Sequence, residues 1–328
     1  MTNMIIRRAA LAIPTLIAIS MISFFIIQLA PGDFLDQKIS ELEQRYGDAS
    51  SLARADELRQ RYGLDKPVYV QYGKWVWGIL HGDFGESFRY EREVTELIWE
   101  RIGYTMLLSI GALIFIYAIA IPTGIYAATH NRSPADRLLM LLSFLGMSVP
   151  SFLVALALMV GVFSWLEIPL FGLFSLQYET APWSWAKLAD LLKHLWIPII
   201  VISINGLGGL TRIMRANMLD VLGEPFVRAA RAKGASERAV TYRHAARIAV
   251  NPVISILGMS LPGIISGETI IAIVLGLPTM GPLLFRALQD QDMYLAGTLI
   301  LMTSTLLLIG NLLADIALAW ADPRIRYD

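Results

Sequence analysis

The chain has 328 residues, 55% hydrophobic and only 16% charged, with a mean hydropathy of +0.56. Soluble globular proteins carry about a quarter charged residues, so this composition argues against a cytosolic enzyme. Its 27 basic residues balance 27 acidic ones, leaving no bulk field to recruit nucleic acid, and the lack of cysteine excludes disulfide scaffolds, cysteine nucleophiles, thiolate zinc sites and iron–sulfur clusters.

The apolar residues fall in about six blocks, each near the roughly 20 residues that a membrane span requires. The first, Ala9–Ala30, follows Arg7-Arg8 and exceeds the apolar stretch of a secretory signal; no A-x-A-like site closes it, so it reads as an uncleaved anchor. Gly103–Thr129 is the second block, and Leu138–Leu166 the third, interrupted by Pro150. The fourth, Leu195–Thr211, is short and carries Pro198 and a Gly206-Leu207-Gly208-Gly209 run. The fifth runs from about Ile248 to Leu277 with Pro252 and Pro262 inside, and the sixth is Leu295–Trp320. Prolines are tolerated in such blocks because neighbouring helices and waters satisfy the freed backbone groups. The expected fold is an all-α polytopic membrane protein of three parts: a first span within residues 1–30, a large extracytoplasmic loop over 31–101, and a five-helix core over 102–328 that contains a basic loop at 212–247.

Basic residues orient the chain. Arg7-Arg8, Arg132 and Arg137, the arginines and Lys233 of 212–247, and Arg324 and Arg326 all fall on one side if six spans alternate, and the positive-inside rule makes that side cytoplasmic. Both termini are then inside. In the large outer loop, Leu35 to Tyr62 shows apolar positions at helical spacing with Gly63 as a stop. Val68, Tyr72, Trp75, Val76 and Ile79 form a second apolar face, suited either to the outer membrane interface or to packing on the span ends.

Catalytic signatures are missing. Gly73-Lys74 is followed by Trp75, so no phosphate-cradling G-x-x-x-x-G-K-[ST] loop exists, and His81, His130, His194 and His244 form no H-E-x-x-H pair. Direct catalysis and a cofactor of the chain's own are not expected. Ionisable residues inside spans are a functional signal, and there are two: Glu268, which either lines a translocation path or bonds a neighbouring helix, and Asp315, near the inner end, read as structural.

The segment Asp220–Ser236 is the most informative. Pro225 suits a first helical turn with Glu224 at its positive end; Ala229, Ala230 and Ala232 favour a helix, and Gly234 suits a left-handed stop. Ser236 then caps a second helix, Glu237–Arg247. Such a pair of helices either inserts into a partner's groove or is a basic loop that sets topology.

The run Val227-Arg228-Ala229-Ala230-Arg231-Ala232-Lys233-Gly234, followed by Arg243-His244-Ala245 and Pro252, resembles the EAA motif of binding-protein-dependent ABC importer permeases of the dipeptide/oligopeptide branch. Pro31-Gly32-Asp33, Tyr62-Gly63-Leu64-Asp65-Lys66-Pro67, Gly82-Asp83-Phe84-Gly85-Glu86-Ser87-Phe88 and Asp322-Pro323-Arg324-Ile325-Arg326 resemble further signatures of that branch. Arg228 stands where the general motif has Glu, Pro278-Thr279-Met280-Gly281 replaces PGLG, and the branch's acid at the position of Ala272 is displaced to Glu268, about 6 Å along the helix. The resemblance implies a non-catalytic permease of the bacterial inner membrane. It implies a second homologous permease, two P-loop ATPase subunits that bind ATP and magnesium, and an extracytoplasmic binding protein as partners. It assigns ATPase coupling to Glu224, Phe226, Val227, Arg228, Ala229, Ala230, Arg231, Ala232, Lys233 and Gly234. A di- or oligopeptide is the expected substrate, with oligosaccharide or nickel as others known in the branch. The competing readings are an ion-coupled secondary transporter and a non-transport membrane scaffold.

Overall fold

The computed structural model describes residues 2–29, 66–166 and 171–321; the side chains of 2–5, 9, 166, 258–268, 314 and 317–321 lie outside the description. The Pro31-Gly32-Asp33 motif, the helix expected over Leu35 to Tyr62 and its Gly63 stop, the Tyr62–Asp65 part of the next motif, and Arg324 and Arg326 also lie outside it. Among the described residues the regular structure is helical: α1 Thr2–Leu29, α2 Val68–Leu80, α3 Val94–Thr129, α4 Pro134–Ser148, α5 Ser151–Leu166, α6 Leu176–Glu179, α7 Trp185–Leu222, α8 Pro225–Ala232, α9 Glu237–Ala239, a π-helical segment Val240–Ala245, α10 Ala246–Ala249, α11 Asn251–Val274, α12 Met280–Gln289 and α13 Met293–Ala321. One isolated bridge, Glu86–Glu93, joins extended segments.

Four of these helices are long and apolar enough to cross a membrane, within α1, α3, α7 and α13, and α4 with α5 makes a fifth if the pair is one broken span. The fifth sequence block coincides with α11, whose 24 residues include the side chains outside the description. Three blocks differ in detail from expectation. The third is bent by 101° between Ser148 and Ser151. Pro150 is the cause: it forces Val149 into an extended conformation at φ −87° and ψ 126°, which ends α4. The fourth block is not short, because α7 continues past both ends of the apolar run for 38 residues. Its polar ends ride on one helix, so the first residues of 212–247 are helix rather than loop. The second block likewise starts early, with α3 beginning at Val94 inside the segment expected to be loop.

The chain divides into two compact units, one comprising Met1–Ile6, Tyr104–Gly281 and Leu307–Asp328, the other Arg7–Gly103 and Pro282–Leu306. In the first, α7 is the packing axis. Ile197, Val201, Leu210, Met214 and Met218 are buried against Leu108, Ala112, Ile116 and Ala120 of α3 and Ile271 and Ala272 of α11. Without strong apolar contrast against lipid, helices associate where small residues let backbones approach. Gly208 does this: a Cβ there would lie 2.5 Å from the Ser143 carbonyl oxygen of α4. The segment before α7 is tied by Lys187, whose buried ammonium donates to the Ala181 carbonyl at 2.6 Å and lies 4.9 Å from the Phe174 ring centre and 5.4 Å from that of Trp183.

In the second unit, α2 packs on α1 through one face. Trp75 and Tyr72 meet Phe24 at ring-centre distances of 5.6 and 5.3 Å, and the Tyr72 hydroxyl bonds Ser20 at 2.9 Å. Of the two roles open to this helix, its Tyr72–Trp75 face takes packing, while Tyr69, Trp77 and Leu80 remain exposed on another face. The Gly82–Phe88 motif forms a loop locked to the start of α13. Asp292 is fully buried there, accepting from Ser87 Oγ at 2.5 Å, from the Arg89 amide at 3.1 Å and from the Leu295 amide at 3.2 Å. Burial pushes the Asp292 carboxyl above the ordinary aspartate range, and its donors pull it back only in part.

Candidate functional site

The segment after α7 is a short helix set on a fixed turn. Glu224 is the N-cap of α8 in an extended conformation, φ −71° and ψ 148°, with Pro225 at the first helical position, where its missing N–H costs nothing. At the other end the Gly234 amide donates to the Arg231 carbonyl at 2.9 Å, and the Ala235 amide to the Ala230 carbonyl at 3.2 Å. This crossed pair is a Schellman closure, which requires a left-handed residue after the cap. Gly234 supplies it at φ +82°, with open space where a Cβ would point.

Val227 turns inward and is fully buried in the same core as Met218 and Val240, with Ala230 packed beside it. Phe226, Arg228, Ala229, Arg231, Ala232, Lys233 and Gly234 are exposed. The ten residues assigned to coupling therefore divide: Val227 and Ala230 seat the helix, and the others, with Glu224, form its free surface. Arg231 also bridges the turn, its guanidinium donating to both Glu237 carboxylate oxygens at 2.9 and 3.1 Å.

Ser236 caps the next helix by accepting from the Ala239 amide at 3.4 Å. That helix is not regular over Glu237–Arg247 as expected. It is α-helical for one turn, π-helical over Val240–Ala245, and α-helical again to Ala249. In an α-helix, residues five apart point well away from each other, whereas the wider π turn brings them to one side. Val240 and Ala245 are both fully buried, so the extra residue keeps the core-facing stripe continuous while Tyr242 and Arg243 stay exposed.

An ion pair locks α7 about two turns before its end at Leu222. Arg215 grips Asp136 with two hydrogen bonds, Nε to Oδ1 at 2.6 Å and a terminal nitrogen to Oδ2 at 2.8 Å, and reaches Asn131 Oδ1 at 2.9 Å. Asp136 is 3% exposed and also accepts from the Arg132 amide at 2.8 Å. Its own amide donates to Ser133 Oγ at 3.1 Å, the side-chain N-cap of α4. Sequence reasoning missed this lock, although Ser133-Pro134-Ala135-Asp136 carries the S-x-x-D spacing of a capping box. The side chain of Glu268, the candidate path acid, lies outside the described residues; Asp315 is half-buried within α13. Among the described residues, no group of three His, Cys, Asp or Glu could hold a metal ion.

Several apolar helices of spanning length in one chain define an integral, multi-pass membrane protein. The chain belongs to the family described as binding-protein-dependent transport system inner membrane component, whose pattern matches residues 120–327; the pattern of that system's N-terminal membrane component matches residues 1–109. It is similar along the full length of both chains to the oligopeptide transport system permease protein AppB of Bacillus subtilis, at 35% identity. It is 33% identical to a putative peptide transport system permease protein of Brucella abortus, again over 100% of both chains. To the dipeptide transport system permease protein DppB of Escherichia coli it is 32% identical, over 100% of this chain and 99% of the relative. The protein is thus a membrane-integral transport permease. Membership in such a system implies, in general terms, a partner permease, an ATPase and a substrate-binding protein.

Proposed function

We propose that this chain is one of two permease subunits of an ATP-driven importer of di- or oligopeptides in the bacterial inner membrane, with both termini in the cytoplasm. In this reading α8 enters a groove on a P-loop ATPase subunit and presents Phe226, Arg228, Ala229, Ala232 and Lys233 to it. Val227 and Ala230 fix the helix to the permease core. Closure of the ATPase pair around ATP and magnesium pushes α8, and the push passes through the Gly234 turn and the π segment into α11 and directly into α7. The chain itself carries out no bond-breaking step, and an extracytoplasmic binding protein delivers the peptide. The observation that carries this reading is the division of α8 into a buried seat and an exposed face, held at an angle set by Gly234 at φ +82°. The peptide assignment is supported by three full-length relatives whose names specify peptide, dipeptide or oligopeptide transport.

The test is affinity purification from the native membrane in mild detergent. A second permease, ATPase subunits and a binding protein should co-elute, and the ATPase subunits should be lost on deleting Gly223–Ser236. Gly234→Val should leave the complex assembled while lowering its substrate-stimulated ATPase activity. Ion-dependent uptake into liposomes by the chain alone would replace this reading with a secondary transporter.

A further inference from the structure

The second unit contains a pocket of about 360 Å³ that the coupling apparatus does not use, lined by Lys74, Trp75, Trp77, Asp83, Glu86 and Tyr294 among others. That volume lies at the lower end of small-molecule sites. Its lining carries both signs of charge, two carboxylates and one ammonium, beside aromatic rings that favour a cation over their faces. Trp75, 2% exposed, forms the buried wall of the pocket. The Lys74 ammonium is the lining donor that suits an anionic oxygen of a ligand.

An anionic oxygen and an ammonium within one small ligand describe a zwitterion, which could be the headgroup of an aminophospholipid or a free peptide. The surroundings favour the lipid. Trp77, which lines the pocket, and Tyr69 and Leu80 of the same helix are exposed, and Ile22, Phe25, Ile26 and Leu29 are exposed along the end of α1 on which α2 packs. Aromatic side chains of this kind concentrate at the level of lipid headgroups, next to an apolar surface for acyl chains.

We infer that this pocket binds a phosphatidylethanolamine-type headgroup, the phosphate meeting Lys74 and the ammonium meeting Asp83 and Glu86 beside Trp77 and Tyr294. Its assignment to the outer leaflet rests on the topology proposed above. Bound there, the lipid would join α2 to the start of α13 through the Gly82–Phe88 loop.

The experiment is native mass spectrometry of the full chain, with whatever subunits accompany it, titrated with phosphatidylethanolamine and with phosphatidylglycerol. The ammonium lipid should bind about tenfold more tightly, as one charge-assisted contact requires. The double substitution Asp83→Asn and Glu86→Gln should abolish that preference while leaving phosphatidylglycerol binding unchanged. Lys74→Gln should weaken both lipids, since each carries the phosphate. Equal binding of the two lipids by the unaltered chain, or an unchanged preference in the double variant, overturns the proposal. So does a free dipeptide that occupies the pocket in a Lys74-dependent way without any preference between lipids. Labelling Tyr69→Cys with a membrane-impermeant reagent reports the side of the membrane separately, so an error in topology is distinguishable from an error about the pocket.

Discussion

Each unit of the chain buries an aspartate at the start of a helix, and the two are compensated in different ways. Asp136 begins α4 with a two-pronged arginine against it, while Asp292 begins α13 held by a serine hydroxyl and backbone amides. The first lock is an ion pair between residues 79 positions apart and ties two helices, α4 and α7. The second neutralises its charge with dipoles and ties a loop to a helix. An ion pair loses most when one partner is deleted, because the other charge stays behind. A dipole-held carboxylate instead keeps a desolvation cost that protonation relieves. The permease therefore fixes the helix that leads into α8 with a lock insensitive to pH near neutrality, and the Gly82–Phe88 loop with one that protonation strengthens.

The largest effect should come from breaking the first lock. Asp136→Ala leaves the Arg215 guanidinium, 22% exposed, without its partner and also removes the acceptor for the Arg132 amide. Because Arg215 reaches some water, the expected loss is about 2–3 kcal/mol, below the full cost of a deeply buried pair. Thermal unfolding of the purified assembly in detergent measures it. Asp136→Asn keeps one acceptor oxygen, enough for the Arg132 amide and one Arg215 nitrogen, and should lose less; equal losses would mean that packing at the start of α4, and not the ion pair, carries the lock.

The second lock should break at smaller cost. Asp292→Ala orphans Ser87 Oγ and two amides and removes the N-cap of α13, for about 2 kcal/mol. Its pH dependence is the sharper test. The folded-state carboxyl titrates above its unfolded value, so the folded form binds the proton more tightly. Its contribution is fully present below the unfolded pKa and is lost as pH rises through the raised folded value. Hydrogen exchange at the Arg89 and Leu295 amides, corrected for the intrinsic rate, should show more protection as pH falls through that window. In Asp292→Asn the trend should vanish; if it persists, another group sets it.

Neither lock was legible in the sequence as a contact, although much around them was. Apolar blocks are legible because lipid solvates no backbone, so a lipid-facing segment must satisfy its own hydrogen bonds as helix over a long apolar run. Pro225, the alanines and Gly234 mark α8 because each acts on its own backbone, and local chemistry can be read locally. Pro150 signals a break for the same reason, but the 101° turn depends on what α4 and α5 pack against. Asp292 meets Ser87 across 205 positions, and pairing at that range leaves no periodic trace in a single sequence. The π segment was hidden too, since one extra residue in a helix changes no composition. Its only outward sign is that Val240 and Ala245 are both apolar at a spacing that a regular helix would split.

The turn after α8 ranks third. Valine at φ +82° should cost about 1–2 kcal/mol locally, since a left-handed backbone crowds a β-branched side chain. Gly234→Asn should cost far less, because asparagine tolerates that conformation. If both variants uncouple ATPase stimulation equally, a glycine is needed there for close contact with a partner and not for its φ.

The smallest effect separates chemistry from environment. Arg231 and Glu237 form the same two-pronged arginine–carboxylate pair as Arg215 and Asp136, with Nε at 2.9 Å from its acceptor, but their side chains are 42% and 70% exposed. Water and salt screen such a pair, and its coupling energy should be about 0.5 kcal/mol. A double-mutant cycle of Arg231→Ala with Glu237→Ala, run beside the cycle of Arg215→Ala with Asp136→Ala, compares like geometry in unlike surroundings. Raising ionic strength from 0.05 to 0.5 M, which shortens the Debye length from about 14 to about 4 Å, should erase the exposed pair's coupling and leave the buried pair's nearly intact. Comparable coupling energies at high salt would mean that α8 is braced by its own ion pair as firmly as α7 is by Asp136. The angle of α8 would then be held by Arg231 as well as by the glycine turn.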